Sequence, residues 1–292
     1  MDAFTRLLRK LPLFRQLARM YDNSDRATLE AEQLRALKAE EFTRDLLAQP
    51  RSQEPARLLR HERQVFSQSG EDGAIAEIFR RIGASSRTCV EFGLDDGVVS
   101  NTAFLLAQGW KGFWLEAGAA NVAAIRRRFG ALLKSGQLKL REAFVAAENV
   151  QSLFRELGVP EEPDLLSIDI DTNDYWVWKA IDAFRPRVVV IEYNATFPPD
   201  VLWARVYDQR AVWDGTSYQG ASLKSLEALG ASKGYSLVGC NLSGVNAYFV
   251  RSDLCGSHFH SDASAVNHYE PARFFLVRRT GHPGGFGPFE IR

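Results

Sequence analysis

Beginning near Gln64, apolar runs of strand length alternate with stretches of helical length, and this alternation limits the chain to few folds. The runs Thr88–Phe92, Gly112–Leu115, Leu138–Phe144, Leu165–Ile170 and Val188–Ile191 predict five strands. Helices are predicted over Asn101–Gln108, Ala120–Phe129, Glu148–Leu157, Asp174–Phe184 and Ser222–Lys233. Gly83, Gly109, Gly130, Gly158 and Gly234 stand where helices should stop. Strands that alternate with helices form a parallel, doubly wound α/β sheet with right-handed crossovers. The last two runs, Ser236–Cys240 and Ala247–Val250, are joined only by Asn241–Asn246. That segment is too short for a helical crossover, so this pair is predicted to be an antiparallel hairpin. The expected fold class is α/β: a Rossmann-like, seven-stranded sheet with an N-terminal helical arm (residues 1–63) and a C-terminal tail or lid (253–292) around the central domain (64–252).

Charge and cysteine content bound the partners. Thirty-six basic and 36 acidic residues cancel to zero net charge in 292 residues, against the basic surplus of a general nucleic-acid binder. The balance is uneven: residues 1–64 hold 13 basic and 10 acidic side chains. Arg6, Arg9, Lys10, Arg15 and Arg19 interleave with Leu7, Leu8, Leu11, Phe14 and Leu17 at helical spacing, and Pro12 is expected to break or restart that helix. A second helix is expected from about Asp25 to Leu47, capped by Ser24 or Asp25. The arm has two readings: a helix packed on its own domain or on a second subunit in a homo-oligomer, and a basic interfacial helix in peripheral contact with an anionic membrane. Cys89, Cys240 and Cys255 are odd in number and widely spaced, which argues against a disulfide framework or a structural zinc site. With no signal-peptide core and no spanning run, the expected location is cytoplasmic, with contact at the inner membrane face under the second reading of the arm.

The first chemical constellation is Val90-Glu91-Phe92-Gly93-Leu94-Asp95-Asp96-Gly97, at the end of the first strand. Gly93 and Gly97 suit a tight turn and close approach of backbone to ligand. Glu116 ends the next strand, 25 residues after Glu91, where doubly wound folds place an acid that accepts both hydroxyls of a ribose. An adenosine-type site follows. Asp95 and Asp96 would repel a pyrophosphate, so a cationic ligand fits better, which favours S-adenosyl-L-methionine over NAD.

With these residues the sequence resembles the FkbM-like group of S-adenosylmethionine-dependent methyltransferases. The resemblance rests on Gln68-Ser69-Gly70-Glu71-Asp72-Gly73, VEFGLDDG with Ser100-Asn101-Thr102, GWKGFWLE, DLLSIDIDTNDYW and PRVVVIEYN, and spans about residues 64–252. Five parallel strands and a hairpin are also the layout of the methyltransferase sheet. The resemblance implies that Gly93, Gly97 and Glu116 line a cofactor pocket and that Gln68, Ser69 and Gly70 lie at the cofactor's amino-acid end, with Glu91, Asp95, Asn101 and Asp169 in the same set. Many members resemble O-methyltransferases of sugars and polysaccharides. Leu94 stands where a small residue is usual, Asp95 where glycine is frequent, and Thr172 where glycine is common. Leu94, Asp95 and Thr172 are expected to crowd the pocket.

Asp169-Ile170-Asp171-Thr172-Asn173-Asp174 forms the second constellation. In a period-2 strand Asp169 and Asp171 face one way, and Glu192 and Asn194 share the same spacing on the neighbouring strand. Together these four residues suit a hard cation, Mg²⁺ or Mn²⁺, that would bind the acceptor hydroxyl, as in metal-dependent O-methyltransferases. In the metal-free alternative Asp169 is a general base or orients the cofactor's amino end, and Asp171 and Asp174 cap the next helix. The long connection Ala195–Gly220, with Trp203, Tyr207, Trp213 and Tyr218, suits either an acceptor-binding lid or a dimer contact. The tail holds His258, His260, His268 and His282; it is read as a surface tail, with a general base from His268 or His282 as the alternative. The expected function is O-methylation of a sugar hydroxyl on a glycan or glycolipid, with Asp169 and Asp171 catalytic. A non-catalytic binding module that keeps the fold is the competing expectation.

Overall fold

The computed structural model describes residues 12–277 and 285–287. Arg6, Arg9, Lys10 and His282 lie outside these residues, and with them part of the basic arm and one tail histidine. Helix α1 (Pro12–Leu47) belongs to one compact unit and residues 50–277 to another. The division falls at Gln49–Pro50, ahead of the arm boundary expected at residue 63. Pro12 does not interrupt α1 but opens it, as the expected restart requires, at a position where its missing N–H is not needed. No cap interrupts the helix at Ser24 or Asp25 either; the Ser24 carbonyl accepts from Thr28 Oγ1 at 2.9 Å in mid-helix. No helix of the described residues is long and apolar enough to cross a membrane.

The second unit begins with a helical turn, α2 (Pro50–Gln53), and α3 (Glu71–Ile82). It then runs β1 (Thr88–Phe92), α4 (Ala103–Ala107), β2 (Lys111–Glu116), α5 (Ala119–Arg128), α6 (Gly130–Ser135), β3 (Leu138–Glu142), α7 (Val150–Leu157), β4 (Leu165–Ile168), α8 (Asp174–Ala180) and β5 (Val188–Glu192). It continues with α9 (Leu223–Ser232), β6 (Tyr235–Cys240), β7 (Asn246–Arg251), α10 (Ser252–Cys255) and α11 (Ala265–His268). The seven strands lie in the order β3-β2-β1-β4-β5-β7-β6. Strands β1 to β5 are parallel, whereas β7 runs antiparallel to both β5 and β6. The fold is therefore the Rossmann-like α/β sheet with a terminal hairpin that the sequence pattern predicts. Two helices depart from the expectation. The α3 segment carries charged motif residues in its first turn, which obscured its apolar face, and Gly130, just past the end of α5 as expected, also opens the unpredicted α6.

Both faces of the sheet are covered, as central parallel strands require. Strand alternation sends Val90, Phe92, Leu166, Ile168, Val189 and Ile191 toward α7, α8 and α9. The opposite residues Cys89, Leu165, Val188 and Val190 pack with Ala74, Ile75 and Ile78 of α3 and with Leu105 and Leu106 of α4. Cys89 and Cys240 are buried and all three cysteines are free.

The strand order reverses between β1, which leads to β2 on one side, and β4 on the other. Ligands of open α/β sheets bind at this switch point, outside the carboxyl ends of the strands. Here the two strand ends nearly touch. Gly93 has φ +80°, and a Cβ there would lie 1.4 Å from the Asp169 carbonyl oxygen. Only glycine permits this approach. Gly93→Ala is expected to destabilise the chain by at least about 3 kcal/mol, because it combines a positive-φ penalty with backbone overlap. Urea unfolding measures this; a loss below about 1 kcal/mol would mean that the strand ends can part.

Candidate active site

A cavity of about 440 Å³ opens at the switch point. Its floor comes from the ends of β1, β2 and β4, through Gly93, Asp95, Glu116, Asp169 and Asp171. Gln68 closes one side, Ala143, Phe144 and Val145 following β3 form another, and Ala211, Val212 and Trp213 of the long connection form a third.

Glu116 is buried and oriented by three donors. Its Oε2 accepts from Leu94 N at 3.2 Å, and its Oε1 accepts from Gly118 N at 2.7 Å and Asn121 Nδ2 at 3.2 Å. Fixed in this way at the β2 tip, the carboxylate keeps lone pairs for a cis-diol, the geometry a ribose needs. Asp95 sits beside it at φ +48°, a left-handed conformation that costs a non-glycine residue roughly 1–2 kcal/mol. That strain accounts for a glycine being suited to this place. Leu94 does not crowd the cavity as expected; its side chain is 1% exposed and packs in the core. Thr172 does line the cavity.

Asp169 and Asp171 converge, though not by strand alternation, because β4 ends at Ile168. The chain turns there, with Asp171 at φ +60°, and Ile170 N donates to Asp174 Oδ1 at 2.8 Å across the turn. Asp174 therefore braces this turn and does not cap α8 as the metal-free reading expected; Asn173 holds the N-cap position and makes no side-chain cap bond. One oxygen each from Asp169, Asp171 and Glu192 can lie within 4.8 Å of the others. Glu192 Oε2 is buried without a hydrogen-bond partner. Burial and the Asp174 and Asp171 charges hold the Asp169 carboxyl well above its ordinary range. Burial and Asp169 do the same to Glu192, and burial and Asp95 raise Asp171. Burial pushes Asp174 up to about 7. An all-oxygen set under such mutual repulsion fits a small hard cation, and its surroundings favour any positively charged ligand.

Several residues expected at the site serve elsewhere. Glu91 is buried and accepts from Ser100 Oγ at 2.6 Å, Asn101 N at 2.8 Å, and Thr102 N and Oγ1 at 3.1 and 2.5 Å. It is the anchor of the 100–102 loop and does not line the cavity. Asn101 turns inward, its Nδ2 donating to Ser167 Oγ at 3.0 Å. Gly97 is needed for packing, since a Cβ there would meet Phe129 and Trp114 at 3.0 Å. Of the SQSGED segment only Gln68 reaches the cavity wall. Ser69 N and Gly70 N both donate to Glu71 Oε2 at 2.9 Å, while Glu71 Oε1 accepts from Asn241 and Asn246 of the hairpin. Asp72 Oδ2 gathers the amides of Val65, Phe66 and Ser67. Asn194 is committed as well: its Nδ2 donates to Ser217 O and Gln219 O, and its Oδ1 accepts from Thr196 N. It holds the long connection, with one bond on its Oδ1. His268 is buried and does not line the cavity, and burial and Arg57 depress it to about 3. Sequence reasoning gave no role to Ala117, Phe144 and Val145, which line the cavity. Their position just past the tips of β2 and β3 was the available signal.

No known family profile matches the chain, and no curated protein matches it. Among solved structures it is similar to an O-methyltransferase family protein from Burkholderia thailandensis, with 9% identity and a TM-score of 0.38, covering 62% of this chain and 57% of that one. It is also similar to an O-methyltransferase from Bacillus cereus solved in complex with SAH, with 18% identity and a TM-score of 0.40, covering 74% of this chain and 88% of that one. Likenesses this distant do not say what this chain acts on.

The raised carboxyls carry a stability signature. Unfolded carboxyls titrate near 4. The folded values lie higher, so the repulsion is absent below pH about 4 and grows as pH rises through the folded values, about 7 for Asp174. The ligand-free chain should therefore lose stability from this cluster as pH rises from about 4 through about 7. Glu192→Gln should recover about 1–2 kcal/mol at pH 8 and little at pH 5. Thermal melts across that range measure it, and equal effects at both pH values would contradict the assignment.

Proposed function

We propose that the chain is an S-adenosylmethionine-dependent O-methyltransferase of the FkbM-like kind, acting on a sugar hydroxyl of a glycan or glycolipid. The observation that carries this reading is the joining, in one cavity at the switch point, of a fixed β2-tip carboxylate, the Gly93 turn and a cluster of strand-tip carboxylates. Glu116 accepts the ribose hydroxyls. Ala117, Phe144 and Val145, beside Glu116, offer the apolar surface an adenine needs. Asp95, Asp169 and Asp171 supply the negative field that suits a sulfonium and an amino group. Gln68 faces the same end.

Methyl transfer to oxygen needs alignment and loss of the hydroxyl proton. Asp169 sits at the floor with a raised proton affinity, from burial and the neighbouring Asp174 and Asp171 charges, which suits a group that takes up a proton. Asp169, Asp171 and Glu192 also form the oxygen set that would hold Mg²⁺ or Mn²⁺, which supplies Lewis-acid lowering of the acceptor's pKa when bound. The unpartnered Glu192 oxygen supports this set, and Asn194 fixes the connection beside it. The competing reading as a non-catalytic module draws on Leu94 and Asp95 crowding the pocket; Leu94 lies in the core, and Asp95 lines the cavity.

Calorimetry with S-adenosylhomocysteine should show binding to the purified chain. Glu116→Gln removes charge-assisted bonds worth about 1.5–3 kcal/mol, so affinity should fall about ten- to hundredfold. No binding by the unaltered chain at millimolar ligand would contradict the cofactor. Transfer from labelled S-adenosylmethionine that is abolished by EDTA and restored by Mg²⁺ or Mn²⁺ supports the metal, and full transfer in EDTA leaves Asp169 as the base.

A further inference from the structure

The cavity wall formed by Ala211, Val212 and Trp213 lies in a stretch, residues 205–213, with neither helix nor strand. It is nonetheless held in place. Three side chains from one short segment donate to three of its backbone carbonyls, spaced three residues apart. Thr172 Oγ1 reaches Ala211 O at 3.4 Å, Asn173 Nδ2 reaches Asp208 O at 2.8 Å, and Trp176 Nε1 reaches Arg205 O at 2.8 Å. The Thr172 hydroxyl hydrogen is shared with Ile170 O at 3.2 Å. On the far side of the wall Tyr207 OH is bonded to Glu148 and accepts from Ala147 N.

The segment that makes these bonds also carries Asp169 and Asp171. Eight consecutive residues, 169–176, thus present the floor carboxylates and fix the wall beside them. Because the acceptors are backbone carbonyls, the hold does not use the wall's side chains. Val212 and Trp213 remain 71% and 49% exposed and available to a ligand. A glycine at position 172 has no hydroxyl and could not make the Thr172 contact.

We propose that Thr172, Asn173 and Trp176 are positioning residues that form a three-point latch, setting the distance between the floor carboxylates and the acceptor-facing wall Ala211–Trp213. Calling the wall acceptor-facing rests on the methyltransferase reading; the latch itself does not. The departure from glycine at Thr172 is then a functional addition in this chain. Trp176 lies outside the cavity lining and acts only through the wall.

Hydrogen exchange of residues 205–213 in the full chain tests the latch, with the Ala211 amide, bonded to Asp208 O at 2.9 Å, as reporter. Exchange there should rise at least tenfold in the double variant Thr172→Val/Trp176→Phe, while exchange in β1 and β4 stays unchanged. Thr172→Ser, which keeps the donor, should exchange like the unaltered chain, and Thr172→Val should not. Affinity for S-adenosylhomocysteine, used as the probe, should change less than about threefold in Trp176→Phe. Unchanged exchange in the double variant, or no difference between the serine and valine variants, would overturn the latch. If the unaltered chain fails to bind S-adenosylhomocysteine, the cofactor reading falls, and the exchange result still decides the latch.

Discussion

Repulsion among like charges at the strand tips is the constraint on which the rest of this structure depends. Asp169, Asp171, Asp174 and Glu192 are gathered where burial opposes ionisation, and each is raised above its ordinary proton affinity. Such a cluster costs stability unless a proton or a cation relieves it. The surrounding chain is built to keep it together. Gly93 lets the ends of β1 and β4 meet, and Asp174 braces the turn by accepting from Ile170 N. Asn194 ties down the connection leaving β5.

A second set of buried acids has a different task. Glu71, Asp72 and Glu91 are equally conspicuous in sequence, yet each has an oxygen that accepts several donors. Glu71 joins the segment before α3 to the β6–β7 hairpin, and Glu91 staples the loop after β1. They shape the cavity from behind. Position separates these acids from the ones proposed to do chemistry: Glu71, Asp72 and Glu91 do not line the cavity, whereas Glu116, Asp169 and Asp171 do.

Most of the fold was legible in the sequence. The β1 run was predicted at its observed limits, and the hairpin followed from the short link Asn241–Asn246. Where helices were misread, local chemistry hid the pattern: α3 begins with a run of motif residues, and Ser24 and Asp25, read as a cap, lie inside α1. At the site, the sequence pointed to the right strand tips but not to side-chain direction. Glu116, Asp169 and Asp171 could be named from position alone. The inward turn of Glu91, Asn101 and Asn194 depends on partners distant in sequence, such as Ser167 and Gln219, which no local spacing reveals. Leu94 illustrates the converse, because a residue within the motif can face the core.

The most direct test of the central claim is a crystal structure with S-adenosylhomocysteine bound. The account predicts the ribose hydroxyls on Glu116, the adenine against Ala117 and Phe144, and the sulfur end beside Asp169 and Asp171. A ligand bound away from Glu116, or a cavity that remains closed to it, would contradict the account.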